Sequence, residues 1–315
     1  MKKGALGFIL LLSLMTGCGA KVGNDGVGGA FVRSPSEIEV QGLPNQSGSG
    51  RASFFGQIVD GTGVSRTLDY DYQGGAAAQA ARDILRFSAV EDHPPLPLLP
   101  KVDLRNKCSQ IGDQGNMGAC VGWASAGFRE ILEIKNREKF EKLSPMYMYF
   151  KLREVENQIY LDVGSKISDV MPLFENVGIS PEEYWPYDVS RFEIAPPPIA
   201  DANAGRFKIQ APRSLAGRNI VKTMKYELTR GNPIIFGFQV FDNIYDVGAD
   251  AVLPLPGPKN YIVGGHAVVA VGYDDSRRVF IVRNSWGTEW GDHGYFYMPY
   301  DYFSIWGSDF WTADR

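Results

Sequence analysis

Three side chains of different chemistry stand far apart in this chain: the Cys120 thiol, the His266 imidazole and the Asn284 amide. A thiol becomes a strong nucleophile when a neighbouring base takes its proton, and a third group that orients the base completes such a site. The three residue types, in this order along one chain, therefore predict covalent acyl-transfer chemistry.

The residues after Cys120 predict a helix, with Ala124, Phe128, Ile131 and Leu132 on one face. Cys120 would then stand at the helix start, where backbone N–H groups and the helix dipole favour an anion. That position lowers the pKa of a thiol. Taken alone, a cysteine at a helix start is more often structural.

His266 is the best candidate for the base, because His93 lies in a proline-rich connector and His293 in a glycine-rich turn. We predict that His266 opens a strand and that Asn284 ends the adjacent strand. The Asn284 amide oxygen can accept the second imidazole N–H without adding charge, and Trp286 can cover that bond and exclude water. The alternatives are a core histidine and an ordinary glycine-bounded turn with core tryptophans.

Three motifs of the chain resemble those of the papain-like cysteine peptidases. They are Gln114-Gly-Asn-Met-Gly-Ala-Cys120, Gly264-Gly-His-Ala-Val and Asn284-Ser-Trp-Gly-Thr-Glu-Trp-Gly. His266 follows Cys120 by 146 residues, within the roughly 130–150 residues typical of that family. The resemblance covers about residues 98–310.

The resemblance implies that Cys120 is the nucleophile, His266 the general base and acid, and Asn284 the residue that orients the imidazole. Gln114 would donate to the oxyanion together with the backbone N–H of Cys120. Supporting or substrate-binding roles would fall to Trp286, Gly164, Ser165 and Gly265. The chain departs from the family in having Val121, not Trp, directly after the nucleophile, and in lacking the family's disulfide cysteines.

The order of the predicted elements indicates an α+β protein. Helices are predicted after Cys120, from Ser144-Pro145 to Leu152, over 168–176 and over 219–229; strands follow at 233–241, 266–273 and 279–283. Helices first and strands second favour two segregated halves. The resemblance implies a papain-like two-lobed fold, with a helical left lobe, an antiparallel β-sheet or barrel right lobe and the active-site cleft between them.

The first 17 residues predict a lipoprotein signal peptide. Lys2 and Lys3 precede a short apolar run, and Leu14-Met-Thr-Gly-Cys18 resembles a bacterial lipobox. Cys18 would carry the lipid, so we expect an exported protein anchored to a bacterial membrane and facing the periplasm or the cell surface. A plain secretory signal with an accidental cysteine is the alternative.

Residues 18–97 predict a flexible stalk that could include a short propeptide, with one helix at Ala76–Phe87, and residues 98–315 the peptidase domain. In an oxidising compartment Cys108 and Cys120 could bridge each other. The preferred interpretation keeps them apart, because only an unpaired thiol can attack a substrate.

Composition narrows the function classes further. A net charge of −4 and a pI near 5.5 give no electrostatic reason to expect nucleic acid as a partner. No group of residues has metal-ligand spacing, so no metal or cofactor is expected, and the oligomeric state stays open. The expected partner is a peptide or protein substrate. Two alternatives are an amidase or transpeptidase acting on cell-wall peptides with the same residues, and a catalytically silent surface-binding lipoprotein.

Overall fold

The computed structural model describes residues 56–59, 64–68, 97–136, 141–216 and 219–315. All of them belong to one unit, Val40–Arg315. The predicted signal peptide, the lipobox with Cys18 and the predicted helix at Ala76–Phe87 lie outside the described residues.

The described residues contain six α-helices: α1 Cys120–Asn136, α2 Pro145–Val155, α3 Ile167–Asn176, α4 Pro198–Ala204, α5 Ile220–Thr229 and α6 Tyr300–Trp306. The four predicted helices are confirmed. Ser144 begins α2 by accepting a hydrogen bond from the Tyr147 backbone N–H at 3.0 Å, and Pro145 occupies the first turn, where its missing N–H costs nothing. Within the described residues, no helix has both the length and the apolar character that crossing a membrane requires.

Nine strands are described: β1 Gly56–Val59, β2 Ser65–Leu68, β3 Lys101–Asp103, β4 Gln210–Ser214, β5 Ile234–Phe241, β6 Ile262–Asp274, β7 Val279–Arg283, β8 Tyr295–Pro299 and β9 Gly307–Asp314. The first two form an antiparallel hairpin. The others form one antiparallel sheet in the order β4-β9-β5-β6-β7-β8, with β3 paired to the far end of β6. Helices pack against this antiparallel sheet, so the described residues have the α+β architecture that was expected.

The central strands are buried on both faces because each face supports a different helical layer. Successive side chains of a strand point to opposite faces. Ile235, Ala267 and Val269 belong to the core cluster that contains residues of α1, α2 and α3. Their neighbours, among them Phe236 and Val268, belong to a second cluster with residues of α5 and α6. The alternation fixes which side chains of β6 face the long helix α1.

Two features of the strands differ from the sequence predictions. His266 does not open its strand: β6 begins at Ile262, because pairing with β5 already starts between Ile262 and Phe241. The hairpin of β1 and β2 falls in a stretch for which only one helix was predicted. Four-residue strands bury too few side chains to produce a clear alternation of apolar and polar residues.

Candidate active site

His266 and Asn284 face each other across two neighbouring strands. His266 lies in β6, and Asn284 directly follows β7, which pairs with β6 through Val269 and Arg283. His266 Nε2 lies 2.7 Å from Asn284 Oδ1, and both side chains are buried. Because an amide oxygen only accepts, the imidazole proton sits on Nε2. Nδ1 has no hydrogen-bond partner among the described residues, so it is the nitrogen left for a thiol.

The Trp286 ring covers this hydrogen bond. The His266 and Trp286 ring centroids are 4.8 Å apart with a 30° tilt, and Trp290 packs edge-on against Trp286 at 4.8 Å. The Phe238 ring in β5 lies edge-on to the imidazole, and the two ring centroids are 5.8 Å apart. These apolar rings keep water away from the Nε2 donor, which strengthens its bond to Asn284.

Burial also changes the acidity of the imidazole. It lowers the pKa of His266 from 6.5 to about 4; the Asn284 hydrogen bond opposes this shift, and the positive charge of Arg66 adds to it. In this arrangement His266 is a neutral base above about pH 4. A charged imidazolium at His266, and therefore an ion pair with a Cys120 thiolate, is disfavoured while the ring remains buried beside Arg66.

Gln114 is held beside the loop that contains Ser285 and Trp286 by hydrogen bonds of its backbone and of its side chain. Asp113 and Trp286 form an isolated antiparallel bridge, and the Gln114 N–H donates to the Ser285 carbonyl at 2.8 Å. The Ser285 hydroxyl donates to Gln114 Oε1 at 2.8 Å, which fixes the amide orientation. Gln114 Nε2 then points to two carbonyl oxygens, those of Met117 at 3.1 Å and Thr67 at 3.2 Å.

Cys120 is the first residue of α1 and is fully buried in the core cluster that also contains Ala267, the neighbour of His266. The loop before it is fixed by Asp162, whose carboxylate accepts from the Gly118 N–H at 2.9 Å and from the Tyr149 hydroxyl. The first N–H groups of a helix are not used by the helix itself, so they can serve an anion.

Cys108 and Cys120 do not bond to each other, as expected. The Cys108 sulfur lies 3.5 Å from the Leu104 carbonyl, and burial raises the pKa of the Cys108 thiol. A thiol with a raised pKa is seldom in the thiolate form that attacks a substrate, so Cys108 is a poor nucleophile. The two cysteines therefore differ in kind, since only Cys120 stands at a helix N-terminus.

The remaining residues singled out in the sequence are distributed around this centre. Gly265 lies in β6 and pairs with Gln239 of β5. Gly164 and Ser165 follow Asp162 in an irregular segment between α2 and α3, not in a strand, and Ser165 is buried. Within the described residues, no group of three or more His, Cys, Asp and Glu side chains is arranged to hold a metal ion.

The sequence analysis did not identify several residues that contact the site from other segments of the chain. Asp162 carries no motif of its own that would mark it as the support of the Cys120 loop. Arg66 and Thr67 belong to the short hairpin, and no local pattern connects them with residues about 50 positions later. Ser285 stands within the recognised Asn-Ser-Trp motif, so its bond to Gln114 could have been sought there.

The class of cysteine peptidases is defined by a buried imidazole–amide pair on an antiparallel sheet together with a cysteine at the start of a helix that packs against this sheet. The sequence model of the family described as papain family cysteine protease matches residues 98–303 of the chain. The chain belongs to this family and is a cysteine peptidase.

Individual relatives agree with this assignment. An uncharacterised peptidase C1-like protein of Acanthamoeba polyphaga mimivirus is 36% identical over 226 residues, which cover 68% of this chain and 72% of the relative. Cathepsin K of Gallus gallus is 28% identical over 207 residues, covering 62% of this chain and 57% of the relative. Among solved structures, xylellain, a cysteine protease from Xylella fastidiosa, is 30% identical with a TM-score of 0.66, covering 83% of this chain and 96% of xylellain.

Proposed function

We propose that Cys120, His266, Asn284 and Gln114 carry out hydrolysis of peptide bonds in peptide or protein substrates. The observation that carries this assignment is the buried His266 Nε2–Asn284 Oδ1 bond of 2.7 Å. It leaves Nδ1 as the acceptor for the thiol proton, while Asn284 holds the ring and Trp286 shields it from water. The same pair cannot serve as a general surface-binding feature, because both side chains are buried.

The proposed reaction has two stages, acylation of Cys120 and hydrolysis of the acyl-enzyme. His266 Nδ1 takes the Cys120 proton, and the thiolate attacks the carbonyl carbon of the peptide bond. The oxygen gains the negative charge and accepts hydrogen bonds from Gln114 Nε2 and the Cys120 backbone N–H. His266 then gives the proton to the leaving amine, and an acyl-enzyme thioester remains. Water, deprotonated by neutral His266, attacks the thioester, which releases the acid product and restores the thiol.

Turnover of a broad peptide library by three forms of the protein tests this role of Cys120. We expect Cys120→Ala to abolish turnover, since no other group can form the thioester. Cys108→Ala is the matched control, because it also removes one thiol but not the one at the helix start, and it should retain wild-type turnover. Equal turnover by Cys120→Ala and wild type would exclude the proposed mechanism.

We further propose that the mature protein is a lipoprotein, exported and anchored through Cys18 to a bacterial membrane, facing the periplasm or the cell surface. The support is the lipobox-like Leu14-Met-Thr-Gly-Cys18 after a basic and apolar leader. Residues 18–97 would then link the anchor to a peptidase domain at 98–315. Mass spectrometry of the mature N-terminus tests this: a lipid thioether on Cys18 is expected, and an unmodified or absent Cys18 in the mature chain contradicts it.

A further inference from the structure

A single peptide group of the loop before α1 holds the Gln114 amide. Its carbonyl, that of Met117, accepts from Gln114 Nε2 at 3.1 Å and from the Ala119 N–H at 2.8 Å. Its N–H, that of Gly118, donates to the Asp162 carboxylate at 2.9 Å. Because a peptide group is planar, its carbonyl and its N–H turn together. The direction of the Met117 carbonyl therefore depends on the residue that accepts from Gly118.

The Met117 carbonyl fixes the plane of the Gln114 amide together with a second contact. A side-chain amide has one oxygen and two N–H protons on one nitrogen. The Ser285 hydroxyl donates to Gln114 Oε1 at 2.8 Å, and the Met117 carbonyl accepts one N–H. With the oxygen and one N–H bonded, the amide cannot rotate, and the second N–H is the one that the oxyanion of the proposed reaction would engage.

Asp162 is itself held by helix α2. The Tyr149 hydroxyl donates to Asp162 Oδ1, the same oxygen that accepts from the peptide group. Arg153, one turn further along α2, is buried, and its Cζ lies 3.8 Å from the centroid of the Tyr149 ring. Arg153 Nη1 donates to the carbonyls of Ile159 at 2.8 Å and Leu161 at 3.1 Å, directly before Asp162. A carboxylate that is fixed in this way loses little further conformational entropy when it accepts from the peptide group.

We propose that Asp162, held by Tyr149, is a positioning residue of the reaction, which orients the Gln114 N–H toward the oxyanion through the peptide group 117–118. The inference rests on the proposed function. A hydrogen bond to a carboxylate is stronger than one to a neutral acceptor, so Asp162 holds this group more firmly than water does. Cys108 and Cys120 are free thiols, so no disulfide of the described residues holds the loop instead.

Two uncharged substitutions of Asp162 test the positioning role. Asp162→Ala removes the acceptor of the Gly118 N–H, whereas Asp162→Asn keeps an oxygen that can accept it. In Asp162→Ala, kcat for a short peptide should fall by roughly 10–100-fold with a smaller change in KM, because a misplaced donor costs most when the oxygen is charged. Asp162→Asn should retain most of the wild-type kcat. Wild-type kcat in Asp162→Ala, or an Asp162→Asn protein as slow as Asp162→Ala, would overturn the inference.

Asp201→Ala is the matched control, because Asp201 is also a carboxylate that accepts from a tyrosine hydroxyl of α2. The Tyr147 hydroxyl donates to Asp201 at 2.8 Å, and the Asp201 side chain is 46% exposed. Its other partner is Lys151, not the loop before α1. Asp201→Ala should therefore keep the wild-type kcat. A loss equal to that of Asp162→Ala would mean that any contact to α2 has this effect, and it would overturn the inference.

A double-mutant cycle with Gln114 tests whether Asp162 acts through the Gln114 amide. Once Gln114→Ala has removed this amide, adding Asp162→Ala should lower kcat by less than about threefold, since residues that act through one group do not have additive effects. Full additivity of the two losses would overturn the inference. The rate at which iodoacetamide alkylates Cys120 requires no oxyanion and should be equal in Asp162→Ala and Asp162→Asn. Slower alkylation in Asp162→Ala would mean that the thiol has moved, and it would also overturn the inference.

Tyr149→Phe tests the same path without changing Asp162, and it serves if Asp162→Ala does not fold. It keeps the buried ring and removes one hydrogen bond to the carboxylate, so kcat should fall by roughly threefold or more. Wild-type kcat in Tyr149→Phe would overturn the inference. Failure of the proposed function is a separate result: turnover would not depend on Cys120. Failure of the inference alone leaves turnover dependent on Cys120 and insensitive to Asp162.

Discussion

The sheet side and the helical side of the site are held in place by different kinds of interaction. On the sheet side, His266 and Asn284 are positioned by the register of β6 and β7 and linked by one side-chain bond. On the helical side, Gln114 depends on the Ser285 hydroxyl and the Cys120 loop on the Asp162 carboxylate. The pairing of two strands fixes the positions of many residues together, whereas a side-chain hydrogen bond fixes the position of one group.

This difference has consequences for mutation. Strand pairing distributes its support over consecutive backbone hydrogen bonds, so a side-chain change on β6 or β7 leaves the frame intact. On the helical side, removal of the Ser285 hydroxyl or of the Asp162 carboxylate removes a bond that orients the Gln114 amide or holds the Cys120 loop. A substitution on the sheet side should therefore change activity only through the chemical group that is removed. A substitution on the helical side should change activity both through the lost group and through the displacement of its neighbours.

Removal of the base on the sheet side should have the largest effect. We expect His266→Ala to lower kcat/KM by roughly 10²–10⁴-fold, since proton transfer is lost at both the attack and the release of the amine. The measurement is peptide turnover, with His293→Asn as the control because His293 lies in the turn before β8. If His266→Ala retained wild-type turnover, the sheet side would have no part in the reaction.

Gln114→Ala tests the helical side. Loss of one oxyanion donor should reduce kcat by roughly 10²–10³-fold with a smaller change in KM, because the bond strengthens as the oxygen becomes charged. Ser285→Ala should reproduce part of this loss, since it frees the Gln114 amide to turn. A Gln114→Ala protein with raised KM and unchanged kcat would show that the amide only binds substrate.

Asn284→Ala separates orientation from proton transfer on the sheet side. A misplaced imidazole costs on the order of 10²-fold in rate, so the loss should be smaller than that of His266→Ala. The double variant His266→Ala/Asn284→Ala should be no slower than His266→Ala alone, because Asn284 acts through the ring. Additive losses in the double variant would contradict this dependence.

The smallest predicted effect is on stability and arises from His266 on the sheet side. The pKa of His266 is about 4 in the folded protein, chiefly through burial, against 6.5 for an unperturbed histidine. Below pH 6.5 the unfolded chain binds more protons, so stability falls as the pH is lowered from about 6.5 to about 4. Denaturant unfolding at pH 7 and pH 5 should show a loss on the order of 1–2 kcal/mol from this group, absent in His266→Gln. Equal losses in the two proteins would contradict it.

The sequence suffices to propose the reacting residues, whereas it does not reveal the contacts that surround them in the structure. Cys120, His266 and Asn284 were singled out because each stands in a motif whose residue types match one chemical step. The strand of His266 was predicted four residues too short at its start, since Ile262 to Gly265 lack a clear alternation. Arg66 and Thr67 were not found, because their partners Asp113, Gln114 and Trp286 are distant in sequence and a four-residue strand carries no periodic pattern.

The central claim is that Cys120 is the thiol that attacks the substrate. The most direct measurement is peptide mapping by mass spectrometry after the reduced, folded protein has reacted to completion with a peptidyl epoxide. We predict one adduct, on Cys120, with loss of turnover in proportion to its formation, while Cys108 stays unmodified because burial raises the pKa of its thiol. An adduct on Cys108 that abolishes turnover, with Cys120 unmodified, would contradict the account.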